Sequence, residues 1–339
     1  MNTTHSTKSI TLEPNQGIPP RLLFMMAAIS GLTVANLYYN QPLLEDIRKD
    51  LHVNEVQANL ITFVTQVGYA LGLLFVVPLA DMWSRRKIAA TSMICAALMS
   101  VTIAFTTQVQ VLWAASLILG VCSVIPQMFV PMARLYSLPQ NQSRNMGYVL
   151  SGLLSGVLGA RVVSGYIGDW FGWRTMFFVA SVIMLICLMV SLQMLPRMRP
   201  TYQGKFTGLM HSILTIYKEH PLIRLYSIRA AFAFGSMMCV WSCMAFHLAG
   251  SPFYAGSEAV GMLGLCGMAG AMAASGIGRF IPRFGIMRIS FMGSLLQLCA
   301  WGVAWYFANS YLGIIATIIL VDIGAQCTNI YQNNGGNDS

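Results

Sequence analysis

The second and third apolar runs of this 339-residue chain are joined by the stretch Val77-Pro78-Leu79-Ala80-Asp81-Met82-Trp83-Ser84-Arg85-Arg86-Lys87. A related stretch follows the eighth apolar run and reads Gly278-Arg279-Phe280-Ile281-Pro282-Arg283-Phe284-Gly285-Ile286-Met287-Arg288. Aligning the two pairs Asp81 with Pro282, an offset of 201 residues. Parallel repeats of this kind are typical of membrane transporters built from two similar halves. Two complete repeats need about 400 residues, so we expect two helices to be missing at the C-terminal end.

The whole chain has the composition of a membrane protein. Hydrophobic residues make up 56% of the sequence, charged residues make up 9%, and the mean hydropathy is +0.63. The apolar residues form blocks of about 20, the length that a helix needs to cross the hydrocarbon core. Ten blocks are predicted, at 22–44, 56–79, 88–106, 111–133, 145–168, 173–195, 230–249, 259–280, 286–307 and 311–331. The predicted fold class is an all-α membrane protein with about ten transmembrane helices.

Basic residues predict the orientation of these helices, because short cytoplasmic loops carry an excess of Lys and Arg. With the N-terminus inside, only Arg48, Lys49 and Arg174 lie outside, while Arg161 and Arg229 lie within or at the edge of helices. The remaining 15 of the 20 basic residues are then cytoplasmic. This asymmetry explains the net charge of +9, which therefore does not indicate a nucleic-acid partner. Residues 1–20 lack the apolar core of a signal peptide, so we expect the first helix to direct insertion into a bacterial-type inner membrane.

The pattern divides the chain into five segments. They are a cytoplasmic tail over 1–21, a six-helix bundle over 22–195, a cytoplasmic linker over 196–229, an incomplete four-helix bundle over 230–331 and a polar tail over 332–339. Apolar residues at helical spacing within the linker indicate a short helix in the membrane interface. These residues are Phe206, Leu209, Met210, Ile213, Leu214 and Tyr217. A solvated linker with incidental apolar residues is the alternative.

The segments resemble the major facilitator superfamily, in particular its twelve-helix, proton-linked exporters of drugs and metabolites. The resemblance extends from about Arg21 to Ile330. The family signature between helices two and three is Gly-x-x-x-Asp-(Arg/Lys)-x-Gly-(Arg/Lys)-(Arg/Lys). Three of its positions match, at Asp81, Arg85 and Arg86, and three differ, at Val77, Met82 and Ser84. The resemblance implies a six-helix N-terminal bundle of the facilitator type, followed by an incomplete second bundle.

The resemblance also implies a cytoplasmic gate at the signature. Asp81 can pair with Arg85 or Arg86 across a helix end, and opening that side would separate the pair. The second half supplies Gly278, Arg283, Gly285 and Arg288 at the corresponding loop, while Pro282 stands where the acid would be. In the alternative interpretation, the basic residues only fix the orientation of the chain in the membrane and interact with lipid phosphate groups.

Small residues line one face of the fifth predicted helix at a spacing of four. They are Gly152, Gly156, Ala160, Ser164 and Gly168. Another helix can approach such a face closely. Exporters share this glycine-rich run and the following Gly172-Trp173-Arg174, which implies that the face also moves during transport. The basic residue that exporters often carry early in helix four has no counterpart, because Ser116 occupies that position.

Two ionisable residues lie deep within predicted helices, where a charge costs at least about 2.5 kcal/mol unless it is paired or wetted. Asp322 lies near the middle of the tenth helix, and Arg161 lies two thirds of the way along the fifth. If protons drive transport, Asp322 is the intramembrane carboxylate able to carry them. Arg161 can bind an anionic substrate or pair with Asp322. A structural salt bridge or snorkelling toward the outer surface is the alternative for Arg161.

Polar and aromatic residues supply further candidates for a substrate pathway. The first helix ends in a cluster that contains Tyr38, Tyr39 and Gln41, while three amides lie well within apolar runs, at Asn36, Gln66 and Gln127. An amide that faces lipid is costly, so the amides are expected to line a cavity. The two tyrosines can line the cavity or belong to the interfacial aromatic belt.

Other functional classes lack support in the sequence. The eight cysteines are scattered and show no metal-ligand spacing, so no metal or other cofactor is expected. No phosphate-binding loop for ATP and no nucleophile with a plausible base are found, which argues against a membrane enzyme. Three functions remain. They are a small-molecule exporter working by alternating access, a truncated inactive relative of such an exporter, and a membrane interaction protein without transport activity. An oligomer is not required, and the partners are the lipid bilayer, a small-molecule substrate and protons.

Overall fold

The computed structural model describes residues 13–196, 204–277 and 285–334, and in these ranges the chain folds into α-helices. The helices are α1 Pro20–Val34, α2 Leu44–Asp50, α3 Glu55–Leu71, α4 Val77–Met82, α5 Arg85–Phe105, α6 Val109–Cys122, α7 Ile125–Tyr136, α8 Gln142–Phe171, α9 Trp173–Met194, α10 Phe206–Glu219, α11 Pro221–Ala249, α12 Ser257–Ile277, α13 Ile286–Tyr306 and α14 Tyr311–Asn334. Nine helical stretches of the described chain are long and apolar enough to cross a membrane. The remaining predicted span, 259–280, overlaps α12, which has 21 residues, and its last three positions lie outside the described residues. The prediction of an all-α membrane fold is confirmed.

The first predicted span is interrupted rather than continuous. After α1 the chain forms single turns of 3-10 helix at Ala35–Leu37 and Gln41–Leu43 before α2 begins. Asn36 and Asn40 are buried in this interruption, and the Asn40 Nδ2 donates to Thr65 Oγ1 at 3.4 Å. This side-chain hydrogen bond ties the interruption to α3.

Two further spans change their helical form at a proline. A π-helical segment, Gly72–Val76, joins α3 to α4 and ends two residues before Pro78. Proline lacks the N–H that would bond the carbonyl four residues earlier, which favours a local change of helix type. In the fourth span the helix breaks at Ser123 and Val124, and α7 restarts with Pro126 in its first turn. Proline is well tolerated at that position.

The described helices form two compact units. Unit 1 is Met1–Asn40, Leu51–Ala160 and Gly172–Phe206, and unit 2 is Gln41–Asp50, Arg161–Phe171 and Thr207–Ser339. Unit 2 therefore contains α2 and the last third of α8 together with the helices from α10 onward.

Glycines bring helices of unit 1 into backbone contact. A Cβ added at Gly68 would overlap the backbone of Leu117, and one added at Gly120 would overlap the backbone of Thr65. This contact between α3 and α6 was not predicted, because the glycines lie on different helices and neither helix has an obvious small-residue stripe. Close backbone approach of this kind increases van der Waals contact, which stabilises helix pairs in lipid.

In unit 2, α11 is tied to α13 by side-chain hydrogen bonds. Gln297 Nε2 donates to the Ala233 carbonyl at 2.9 Å, and Trp301 Nε1 donates to Ser236 Oγ at 2.8 Å. The donors are four residues apart on α13, so both lie on one face of that helix. These two bonds fix the rotation of α13 against α11.

A helix forms in the linker where the apolar spacing predicted one. It is α10, and none of its residues is buried. Its place in the membrane interface stays a prediction. The following helix, α11, begins at Pro221, which lies upstream of the predicted start at 230 because the chain remains helical through Arg224 and Arg229.

Candidate functional site

The two deeply placed ionisable residues lie in one cluster within unit 2. Arg161 lies on α8 and Asp322 on α14, and the two residues are only 2% and 6% exposed. The burial of Arg161 contradicts the alternative in which it snorkels to the outer surface. A buried charge is tolerated only when other charges or hydrogen bonds compensate it.

Trp241 of α11 joins the two charged residues. The guanidinium carbon of Arg161 lies 3.9 Å from the centroid of the indole ring, and the indole Nε1 donates to Asp322 Oδ1 at 3.3 Å. Because both side chains contact the same indole, their opposite charges lie close enough to attract each other. A cation over an aromatic face is attracted to the ring, and the attraction grows when water is excluded. The ring thus contacts the cation with its face and the carboxylate with its edge.

Gln41 completes the cluster on the other side of Arg161. The Arg161 Nε donates to Gln41 Oε1 at 2.8 Å, and Gln41 Nε2 lies 3.6 Å from the Met238 sulfur. Gln41 itself is fully buried, in the 3-10 turn that precedes α2. We refer to Gln41, Arg161, Trp241 and Asp322 as the charged cluster.

Small residues on α8 bring the helix that carries Arg161 close to α12. A Cβ added at Gly165 would lie 2.6 Å from the Ser257 carbonyl oxygen, and one added at Gly261 would lie 2.8 Å from the Arg161 carbonyl oxygen. Ser257 Oγ also donates to the Gly165 carbonyl at 3.2 Å. Gly168 is equally tight, because a Cβ there would overlap Leu43. The close approach fixes the backbone of Arg161 and therefore the position of its guanidinium.

The sequence pattern predicts Gln41, Arg161 and Asp322 as site residues but does not single out Trp241. A tryptophan in an apolar run is easily taken for an interfacial anchor or for core. One available signal was its place near the middle of the span predicted at 230–249, where an interfacial tryptophan is not expected. In the structure the indole is completely buried.

The other predicted pathway residues lie in unit 1, apart from Gln41. Tyr38 and Tyr39 are buried, which contradicts the alternative that they form an interfacial aromatic belt. Asn36 Nδ2 lies 3.3 Å from the Met184 sulfur, while its buried Oδ1 has no hydrogen-bond donor in the described part of the chain.

Two more amides of unit 1 had been predicted to face a cavity. Gln127 Nε2 donates to the hydroxyl of Tyr69 at 3.0 Å, so Tyr69 is a partner that the sequence did not reveal. Gln66 is half-buried on α3 and has a polar partner of its own.

Asp81 and Arg85 form a salt bridge at the start of α5. The Arg85 Nη2 lies 2.9 Å from Asp81 Oδ1, and its Nε donates to the Ala80 carbonyl at 3.3 Å. Arg86 instead donates to the carbonyl of Leu192 near the end of α9. Of the two predicted partners of Asp81, Arg85 therefore occupies that position, and Arg86 ties α5 to the carboxyl end of another helix.

The second-half counterpart of this loop is described only in part. Gly278 and Arg283 lie outside the described residues. Gly285 precedes α13 with a positive φ of 77°, a conformation that favours glycine, and Arg288 is exposed in the first turn. Ser84 occupies the corresponding position before α5 with a φ of −62°, so glycine is not required there.

No group of three potential metal-binding side chains occurs in the described part of the chain. The model of the Major Facilitator Superfamily, a family of transporters, matches residues 23–335. The chain belongs to the major facilitator superfamily.

Relatives of this facilitator chain are themselves named as transporters. The uncharacterized transporter YgaY of Escherichia coli O157:H7 is 32% identical over 318 residues, which cover 94% of this chain and 81% of the relative. The probable transporter SCO4007 of Streptomyces coelicolor is 29% identical over 323 residues, covering 93% and 75%.

Solved facilitator structures have the same fold. An inward-facing, unoccupied bacterial homolog of the human lysosomal transporter Spinster superposes with a TM-score of 0.74 at 17% identity, covering 93% of this chain and 75% of that chain. The nucleoside transporter NupG superposes with a TM-score of 0.70 at 11% identity, covering 93% and 81%. At these identities the likeness concerns the fold alone. This facilitator chain is thus a multi-pass membrane protein of a transporter family.

Proposed function

We propose that this chain is a secondary transporter that moves a small molecule across a bacterial inner membrane by alternating access, with Asp322 binding and releasing a coupled proton. The N-terminus is cytoplasmic in this proposal, as the distribution of basic residues predicts. The observation that carries the proposal is the buried charged cluster, in which Trp241 contacts both Arg161 and Asp322. Buried ionisable groups in membrane helices commonly mark substrate or proton pathways.

The electrostatics of the cluster supply a mechanism for coupling. While Asp322 is ionised, its charge balances that of Arg161. A proton on Asp322 removes a negative charge that compensates Arg161, which is 2% exposed, and a charge that loses its compensation costs at least about 2.5 kcal/mol near the bilayer centre. Protonation therefore favours a conformation in which Arg161 is hydrated, or the binding of an anion to Arg161.

Export is the direction that the sequence resemblance implies, but the cluster favours a second candidate for the coupling. An anion bound to Arg161 would restore neutrality only when Asp322 is protonated, so the proton and the anion would bind together. A cation bound to Asp322 would instead leave the charge of Arg161 unbalanced. The second candidate is therefore cotransport of a proton with an anionic substrate. In sealed vesicles, proton movement opposite to a transported compound supports exchange, and movement with it supports cotransport.

The first test is transport by cells that express the chain. We expect altered accumulation of at least one compound in a panel of cationic, neutral and anionic fluorescent dyes, and we expect Asp322→Asn to abolish the change. Glu55→Gln is the matched control, because it also removes one carboxylate but at an exposed helix start. Transport that survives Asp322→Asn contradicts the role of Asp322. Accumulation like that of empty cells for every dye, with the protein present in the membrane, favours an inactive relative or an interaction protein.

A separate prediction concerns the Asp81–Arg85 pair, which we propose as a cytoplasmic latch. Asp81 is half-exposed, so breaking the pair should cost no more than about 1 kcal/mol of stability. We expect Asp81→Asn to leave the unfolding temperature nearly unchanged while reducing the transport rate severalfold. Arg85→Gln should act in the same direction. Unchanged transport in both variants would contradict the latch and favour the alternative, in which these residues only fix the orientation of the chain in the membrane.

A further inference from the structure

Two cavities flank the N-terminal end of α1, and both lie within unit 1. One has a volume of about 590 Å³ and lies between α1 and α9, lined by Ala28, Leu32, Val190 and other apolar side chains. The other has a volume of about 510 Å³ and lies between α1 and the start of α8, where Leu138 and Ala27 contribute to its wall. Both volumes fall within the range of about 300–1,000 Å³ typical of small-molecule sites.

Pro20 and Phe24 line both cavities, so the two lie side by side around the end of α1. Phe24 projects between them and is 76% exposed. A ligand with two apolar chains joined at one head could place one chain on each side of this ring.

Each cavity has one arginine at its edge. Arg21 borders the cavity beside α9, and Arg144 borders the cavity beside α8. Both are exposed, and neither takes part in a salt bridge within the described part of the chain. Within the described part of the chain these two cations have no acidic partner, and they lie at helix ends predicted to be cytoplasmic, so they complement an anionic head group.

The wall of the second cavity is fixed by the segment before α1. The Asn15 and Gly17 N–H groups donate to the carbonyls of Leu135 and Tyr136, at 3.1 and 2.9 Å. In the same cavity, the buried Asn145 donates from Nδ2 to Ser137 Oγ at 2.8 Å. These bonds hold the polar edge in place before any ligand arrives, which lowers the entropic cost of binding.

We propose that the end of α1 is a binding site for one anionic phospholipid, with an acyl chain in each cavity and the phosphate between Arg21 and Arg144. This site is independent of the charged cluster and of the proposed transport function. A bilayer supplies such lipids at high local concentration, and the two apolar cavities match acyl chains better than they match a polar solute.

The test is native mass spectrometry of the full chain in detergent, with equal amounts of phosphatidylglycerol and phosphatidylethanolamine that carry the same acyl chains. We expect the chain to retain phosphatidylglycerol preferentially. Arg21→Gln and Arg144→Gln should each lower that preference about fivefold, the effect of one basic residue near an anionic head group. Ala28→Phe fills the apolar cavity without changing charge and should reduce binding of both lipids.

Arg224→Gln is the matched control, because it removes an exposed arginine at the start of α11 that lines neither cavity. Equal retention of the two lipids by the unmodified chain would overturn the proposal. So would a loss in Arg224→Gln as large as that in the two site variants, since the effect would then come from general surface charge. Unchanged binding in Ala28→Phe would contradict the placement of a chain beside α9. Thermal unfolding of each variant shows that it remains folded.

Discussion

Arg161→Met is expected to destabilise the purified chain by about 3–5 kcal/mol, the cost of leaving a buried charge without the opposite charge that compensates it. The substitution keeps an apolar side chain of similar length but leaves Asp322 buried without the cation that balances it. It also removes the stacking on Trp241 and the hydrogen bond to Gln41. The measurement is thermal or denaturant unfolding in detergent.

The double variant Arg161→Met with Asp322→Asn tests the cause. Once both charges are gone, no uncompensated charge remains, so the double variant should be more stable than Arg161→Met alone. Arg174→Met is the matched control, because Arg174 also stacks on a tryptophan, at 4.3 Å from the Trp173 ring, but is only half-buried. We expect the control to lose about 1 kcal/mol or less. A double variant no more stable than Arg161→Met would show that packing, and not charge balance, accounts for the loss.

The helices and the charged members of the cluster could be predicted because a bilayer imposes a large free-energy cost on unpaired backbone groups and on uncompensated charges. A run of about 20 apolar residues has few alternatives to a spanning helix. A charge such as Arg161 or Asp322 within such a run must find compensation, whatever the tertiary structure is.

Trp241 could not be predicted, because an indole is compatible with lipid, with an interface and with the protein interior. Its role depends on which helices meet around it. The close contact between α3 and α6 was missed for the same reason. The sequence does not show that Gly68 and Gly120 lie where these two helices pack against each other. The interruption after α1 was missed because a polar and aromatic cluster at the end of an apolar run is also compatible with a continuous helix that lines a cavity. The partner of Asn40, Thr65 on α3, lies 25 positions away in the sequence.

Gly156→Ala and Gly159→Ala, two substitutions on the same helix, are expected to change stability in opposite directions. A Cβ at Gly156 would overlap the backbone of Gly31 on α1, whereas one at Gly159 would meet nothing within 4 Å. Backbone cannot move aside as a flexible side chain can, so α1 and α8 must separate to admit the methyl group. Overpacking typically costs about 1–3 kcal/mol, and we expect a value near the upper end because the closest atoms belong to backbone.

Replacing glycine by alanine inside a helix stabilises the helix by up to about 1 kcal/mol. The Gly159→Ala variant should therefore be as stable as the unmodified chain or slightly more stable. Because that gain is common to both variants, the difference between their unfolding temperatures isolates the contact between α1 and α8. Gly152→Ala offers a second test, since its Cβ would overlap the backbone of Ala27 one turn earlier on the same face. If Gly156→Ala and Gly159→Ala unfold at the same temperature, the two helices do not approach at Gly31, and the small face of α8 has no structural role there.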